Sequence, residues 1–184
     1  MGFFDIFSKK ESQGKATSLD EGLLGLQKGG YVSFDLETYR VEKRSCYEED
    51  GERALEWHLV GESNQKHMYL GYEKDDGKVY WFLTEKVKAS KIAESDWDRF
   101  TQDDAPPKIT IDDQVFLADA SGAAYFYADD RDVDREELIY WNYEDRDGEL
   151  ILTIEQWGET AFEVYQGKYV TETDFYNIIQ GDPS

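Results

Sequence analysis

The feature that most constrains this chain is a pattern that occurs twice. From Glu56 to Phe82 the sequence reads EWHLVGESNQKHMYLGYEKDDGKVYWF, and from Tyr140 to Tyr165 it reads YWNYEDRDGELILTIEQWGETAFEVY. Each copy holds a Trp-bearing segment, a polar turn, an apolar segment closing on a Glu, a Gly-containing turn and an aromatic segment. Trp57 leads to Glu73 as Trp141 leads to Glu155, and Tyr80 and Phe162 each follow their Glu by seven positions. Leu150, Leu152 and Ile154 alternate, as a strand with one apolar face requires. Asp76-Gly77 and Asp147-Gly148 suit hairpin turns, which need positive φ. The expected fold is mainly β: two similar antiparallel β-units, packed as a sandwich or as paired partly open barrels, with a short N-terminal amphipathic helix. Residues 21–104 form the first unit and 105–184 the second, with the boundary at Ala105-Pro106-Pro107, since consecutive prolines suit neither helix nor central strand. Residues 1–20 form an N-terminal foot and polar linker.

Thirteen Tyr, ten Phe and five Trp supply the side chains that half-buried strands favour. The formal charge of −21 argues against a nucleic-acid partner, whose phosphates call for Lys and Arg. It is compatible with basic partners, polyamines or divalent cations. It is equally what a solvated β surface with charge-protected edges carries. Cys46 is the single cysteine, so no internal disulfide forms and a reducing compartment is expected. Glu48, Glu49 and Asp50 beside it oppose thiolate formation. No apolar run approaches the roughly 20 residues of a membrane span. The expected location is the cytoplasm, with peripheral association at the inner membrane.

That association falls to the N-terminus. Phe3, Phe4, Ile6 and Phe7 cluster before Lys9 and Lys10. On a helix, Phe3, Ile6 and Phe7 share a face. Such a foot suits contact with a membrane surface or a partner groove; the competing reading is a terminal helix docked on its own domain. Met1-Gly2 opens like a myristoylation signal, but Ile6 stands where that signal needs Ser or Thr.

Several pieces together resemble a bacterial family known as a domain of unknown function. They are Gly30-Tyr31-Val32-Ser33-Phe34 with Tyr39-Arg40-Val41, Trp57, Tyr69-Leu70, Tyr140-Trp141-Asn142-Tyr143, Leu152 to Gly158 (LTIEQWG) and Phe162 to Gly167 (FEVYQG). The resemblance spans about Leu23 to Ile179. It implies a mostly β protein of two similar halves in a bacterial cytoplasm, often encoded near phage-shock-protein-A-like membrane-stress proteins and spermidine-synthase-like proteins. It supplies no catalytic residues. The acidic stretch Asp129 to Glu137 departs from the family pattern.

No catalytic constellation, metal site or cofactor motif stands out. His58 and His67 both fall in the first unit and read as surface or hairpin residues. Asp130, Asp132 and Asp134 alternate like the start of a calcium loop. However, Arg135 occupies the position that needs Gly and Trp141 the one that needs Glu. Loose cation binding by this loop is what remains of that reading. Glu73 and Glu155 hold equivalent places and are the other candidate cation ligands. Aromatics beside acids also suit an organic cation. The expected function is a non-enzymatic binding or adaptor module of a membrane or envelope-stress system, acting through Phe3, Phe4, Ile6 and Phe7 on a membrane surface or a membrane-stress protein. The alternative is a polyamine or divalent-cation sensor. A buried polar pocket with convergent Glu or His would revive an enzyme.

Overall fold

The computed structural model describes residues 22–75, 77–100, 104–130 and 135–181. Phe3, Phe4, Ile6 and Phe7, and with them the expected N-terminal helix, lie outside the described residues. The strands are β1 (Tyr31–Phe34), β2 (Glu37–Glu49), β3 (Glu52–Gly61), β4 (His67–Asp75), β5 (Lys78–Val87), β6 (Lys108–Ile111), β7 (Gln114–Tyr127), β8 (Arg135–Asp145), β9 (Leu150–Trp157), β10 (Ala161–Val170) and β11 (Phe175–Ile179). One short helix, α1 (Glu94–Phe100), lies between β5 and β6.

All strands join one antiparallel sheet in the order β11-β1-β2-β3-β4-β5-β10-β9-β8-β7-β6. A further pairing joins β2 to β7 at Cys46–Tyr127, Tyr47–Phe126 and Glu48–Tyr125. It closes the eight strands from β2 round to β7 into a ring. The architecture is thus mainly β and antiparallel, as one ringed sheet and not as two stacked sheets.

Turn chemistry sets the hairpins. Asp35-Leu36, Asp50-Gly51 and Asp112-Asp113 are two-residue loops with positive φ at both positions. That conformation matches the twist of the strands it joins.

The two faces of the sheet differ in chemistry. One face packs into two apolar cores. The first gathers Trp57, Leu59, Leu70, Trp81 and Leu83 under Leu23, Leu26, Val32 and Phe175. The second gathers Phe116, Tyr143, Leu152, Ile154 and Val164 under Ile92, Phe100, Ile109 and Ile111. The opposite face of the ring strands turns inward, toward a lumen.

Two β-bulges decide which residues reach that lumen. On β2, Tyr39 and Val41 enter the first core, but the register shifts between Val41 and Lys43. The extra residue inverts the alternation, so Lys43, Ser45 and Tyr47 line a cleft in the lumen. On β7 a shift between Ala118 and Ala120 does the same. Phe116 enters the second core, whereas Ala124 and Phe126 pack against Tyr47.

Three local expectations are corrected. Cys46 to Arg53 reads as an acidic loop or hairpin tip; it is a hairpin tip, but a shorter one, because β2 runs through to Glu49 and the turn is only Asp50-Gly51. Val115–Leu117 and Ala123–Ala128 read as separate strands, but β7 is continuous because its bulge absorbs the break in alternation. Gly167 reads as a turn, yet it lies mid-strand in β10 opposite Thr84. A Cβ there would stand 2.1 Å from the Leu83 carbonyl oxygen, so Gly167 marks close backbone approach.

Candidate functional site

The lumen opens into a cleft of about 430 Å³ whose walls include Tyr47, Glu56, Tyr69, Trp157, Glu163 and Tyr165. Glu155, Thr84 and Thr153 line a smaller pocket of about 30 Å³ that shares Tyr47, Glu56 and Tyr165 with the cleft. That is room for about one water.

Each polar wall residue is placed by an apolar neighbour on its own strand. Trp57 is fully buried, stacks on Trp81 with centroids 5.8 Å apart, and donates its Nε1–H to the Leu26 carbonyl at 2.9 Å. Strand alternation then turns Glu56 and His58 to the other face. On β9, Leu152 and Ile154 enter the second core and leave Thr153 and Glu155 inside the ring. On β10, Val164 does the same for Glu163 and Tyr165.

Glu155 is 4 % exposed and accepts hydrogen bonds from the Tyr47 hydroxyl and, at 3.2 Å, from Trp157 Nε1. Burial lifts its carboxyl to about 7, with Glu163 adding to the rise and the Tyr47 and Trp157 bonds opposing it. Burial, and then Glu155, push Glu56 to about 8, against the pull of Lys43. Glu163 differs. It accepts from Tyr165 at 2.6 Å and from Lys86, and its carboxyl stays below the ordinary value although desolvation pulls the other way. Neither Glu56 nor Glu155 makes an ion pair among the described residues. Two neighbouring carboxyls that resist ionisation can bind a cation in exchange for protons, or transfer a proton near neutral pH.

The residues expected from sequence fall in different places. Glu155 lines the small pocket with Glu56 and stands opposite Glu163 across the β9–β10 pair. Glu73 is fully buried on β4, and neither of its oxygens has a hydrogen-bond partner among the described residues. Burial raises its carboxyl to about 9, and the acids acting on it are Asp75, Glu49 and Glu52. Equal spacing did not give equal register. Glu73 pairs with Tyr80 across a two-residue loop, whereas the three-residue loop after Trp157 sets Glu155 opposite Glu163. Asp130 closes a short turn, Ala128–Asp130; Asp132 and Asp134 lie outside the described residues. His58 and His67 touch each other, Nε2 to Nδ1 at 2.8 Å, and His58 stacks on Tyr69. His58 is not a plain surface residue, because it lines the cleft. Among the described residues no group of three His, Cys, Asp or Glu could hold a metal ion.

Sequence reasoning missed Glu56, Tyr47 and Tyr165. The alternation Ala54-Glu56-His58 opposite Leu55-Trp57-Leu59 places Glu56 away from the first core. What it lacks is any sign that the far face of that strand is enclosed.

The model of a family described as Domain of unknown function (DUF4178) matches residues 27–172, and the chain belongs to this family. No curated protein and no solved structure matches it. Among the described residues no helix is long and apolar enough to cross a membrane.

Proposed function

We propose that the protein is a non-enzymatic binding module whose cleft takes a small organic cation, with one ammonium group held between Glu56 and Glu155. The observation that carries this reading is the pair itself: two carboxyls in a small pocket that adjoins an aromatic-walled cleft, in an acidic protein, with no ion pair to either among the described residues. Desolvation keeps both partly protonated. An ammonium ion reverses that balance, because a nearby positive charge favours the ionised form. Tyr47, Tyr69, Tyr165 and Trp157 supply aromatic faces and edges for the alkyl chain and for cation–π attraction. A polyamine fits this chemistry, with further ammonium groups meeting Glu163 and Glu136 in the cleft wall.

Calorimetric titration with spermidine tests this. The expected result is binding that tightens between about pH 6 and 8.5 and releases protons, read as a heat that changes with the buffer's ionisation enthalpy. Heat no greater than salt screening, at every pH, overturns the reading.

We read the two meanders β1–β5 and β6–β10 as related units that meet at the β2–β7 and β5–β10 pairings, with the cleft between them. The setting in a membrane or envelope-stress system, and the contact role of Phe3, Phe4, Ile6 and Phe7, belong to the same proposal. Leu23 and Leu26 are fully buried in the first core. The same carboxyl pair also titrates where general acids and bases work. Binding is preferred because Glu56, Glu136, Glu155 and Glu163 outnumber Lys43 among the lining residues, an excess that a cationic ligand offsets.

A further inference from the structure

We propose that Lys43 is a tethered occupant of the cleft, its ammonium lying over Phe126 where one of the ligand's outer ammonium groups would pass, and swinging out before the ligand enters. The inference rests on the cleft being a cation site. Its first support is geometric. Lys43 directly follows the β2 bulge, and in an unbulged strand of regular alternation it would share the core-facing side of Val41. Bulges commonly re-aim a side chain beside a functional site. Here the bulge delivers a lysine into the lumen, where it lines the cleft with Glu56, Glu163 and Glu136.

The second support is what the ammonium does there. Its Nζ lies 5.3 Å from the centre of the Phe126 ring, the arrangement expected of a bound organic cation. Among the described residues it makes no ion pair, unlike Lys66, Lys86 and Lys91. It nevertheless acts on Glu56, pulling that carboxyl back toward ionisation. His58, its cross-strand partner, offers no competing negative charge. A charge held by an aromatic face and a field, on a stem of four rotatable carbons, is displaced more easily than one locked in a salt bridge.

The test compares spermidine affinity in the wild type, Lys43→Met, Lys43→Arg and the control Lys66→Met. Methionine keeps the unbranched stem and removes the charge. The expected result is about tenfold tighter binding for K43M, with K43R and K66M within about twofold of wild type. Equal or weaker binding by K43M overturns the proposal, and equal tightening by K66M reduces it to bulk charge. A second readout needs no ligand: the Glu56 side-chain carbon, followed by NMR through its titration, moves to higher pH in K43M and not in K66M. If neither wild type nor K43M binds spermidine, the cation-site reading fails. An unmoved Glu56 titration then overturns the placement of Lys43 as well, whereas a raised one upholds Lys43 as the internal counter-ion of the cleft.

Discussion

Two buried carboxyls, Glu73 and Glu155, and the half-buried Glu56 set the behaviour of this protein at the scale of single residues. Glu73 has no hydrogen-bond partner among the described residues and a value of about 9 against an ordinary 4.5. The folded state therefore keeps a proton that the unfolded chain releases. The stabilisation is complete below about pH 4.5 and is lost as pH rises toward 9, at a slope approaching about 1.4 kcal/mol per pH unit for one proton. Glu73→Gln removes that loss, so urea unfolding is expected to show the variant ahead of wild type near pH 8.5 and level with it near pH 5. Equal stability at both values would disprove the buried, protonated Glu73. Glu56 and Glu155 have the same sign, ending near 8 and 7. Glu155→Gln can keep the Trp157 bond on its one oxygen but cannot become an anion. It is expected to weaken spermidine at least about tenfold while leaving the fold intact by circular dichroism. A variant that binds as wild type does would remove Glu155 from the site.

At the scale of elements, turns and close approaches carry the information. Leu36 is 96 % exposed at the β1–β2 loop with φ of 64°, a conformation that costs a branched residue about 1–2 kcal/mol. Leu36→Asn is expected to raise stability by about 1 kcal/mol, measured as a shift in urea midpoint with unchanged slope. Gly167 lies where β10 meets β5, and Gly167→Ala drives a methyl into the Leu83 carbonyl. A loss of about 3 kcal/mol is expected, because a mid-strand pair cannot separate locally without breaking the seam of the ring. No change in melting temperature would show that β5 and β10 can move apart freely. The strand pattern of this seam was partly legible. Gly167 was the residue most easily misread, since glycine signals a turn and close packing alike.

At the scale of the whole molecule, a charge of −21 is spread over one ringed sheet. Self-repulsion of that size is screened within about 10 Å at 0.1 M salt, so added salt is expected to raise the melting temperature until screening saturates. The N-terminal foot is tested at the same scale. Removing residues 1–10 is expected to abolish co-sedimentation with lipid vesicles while leaving the melting temperature unchanged. A fall in melting temperature would instead mean that Phe3, Phe4, Ile6 and Phe7 pack on the domain that follows them.

The sequence by itself determined the mainly β, antiparallel character, most of the strands and the Asp-Gly hairpin turns. Those features rest on alternation and on turn residues, which act over a few positions and leave a direct trace in the chain. The β2–β7 closure, the inward turn of Lys43 and the meeting of Glu56 with Glu155 were decided only by the tertiary structure. A strand's polar face looks the same in sequence whether it meets water or a lumen. Only the closing of the ring, which brings Tyr47 to Phe126 across 79 positions, turns that face into a cleft and gives its carboxyls a reason to hold their protons.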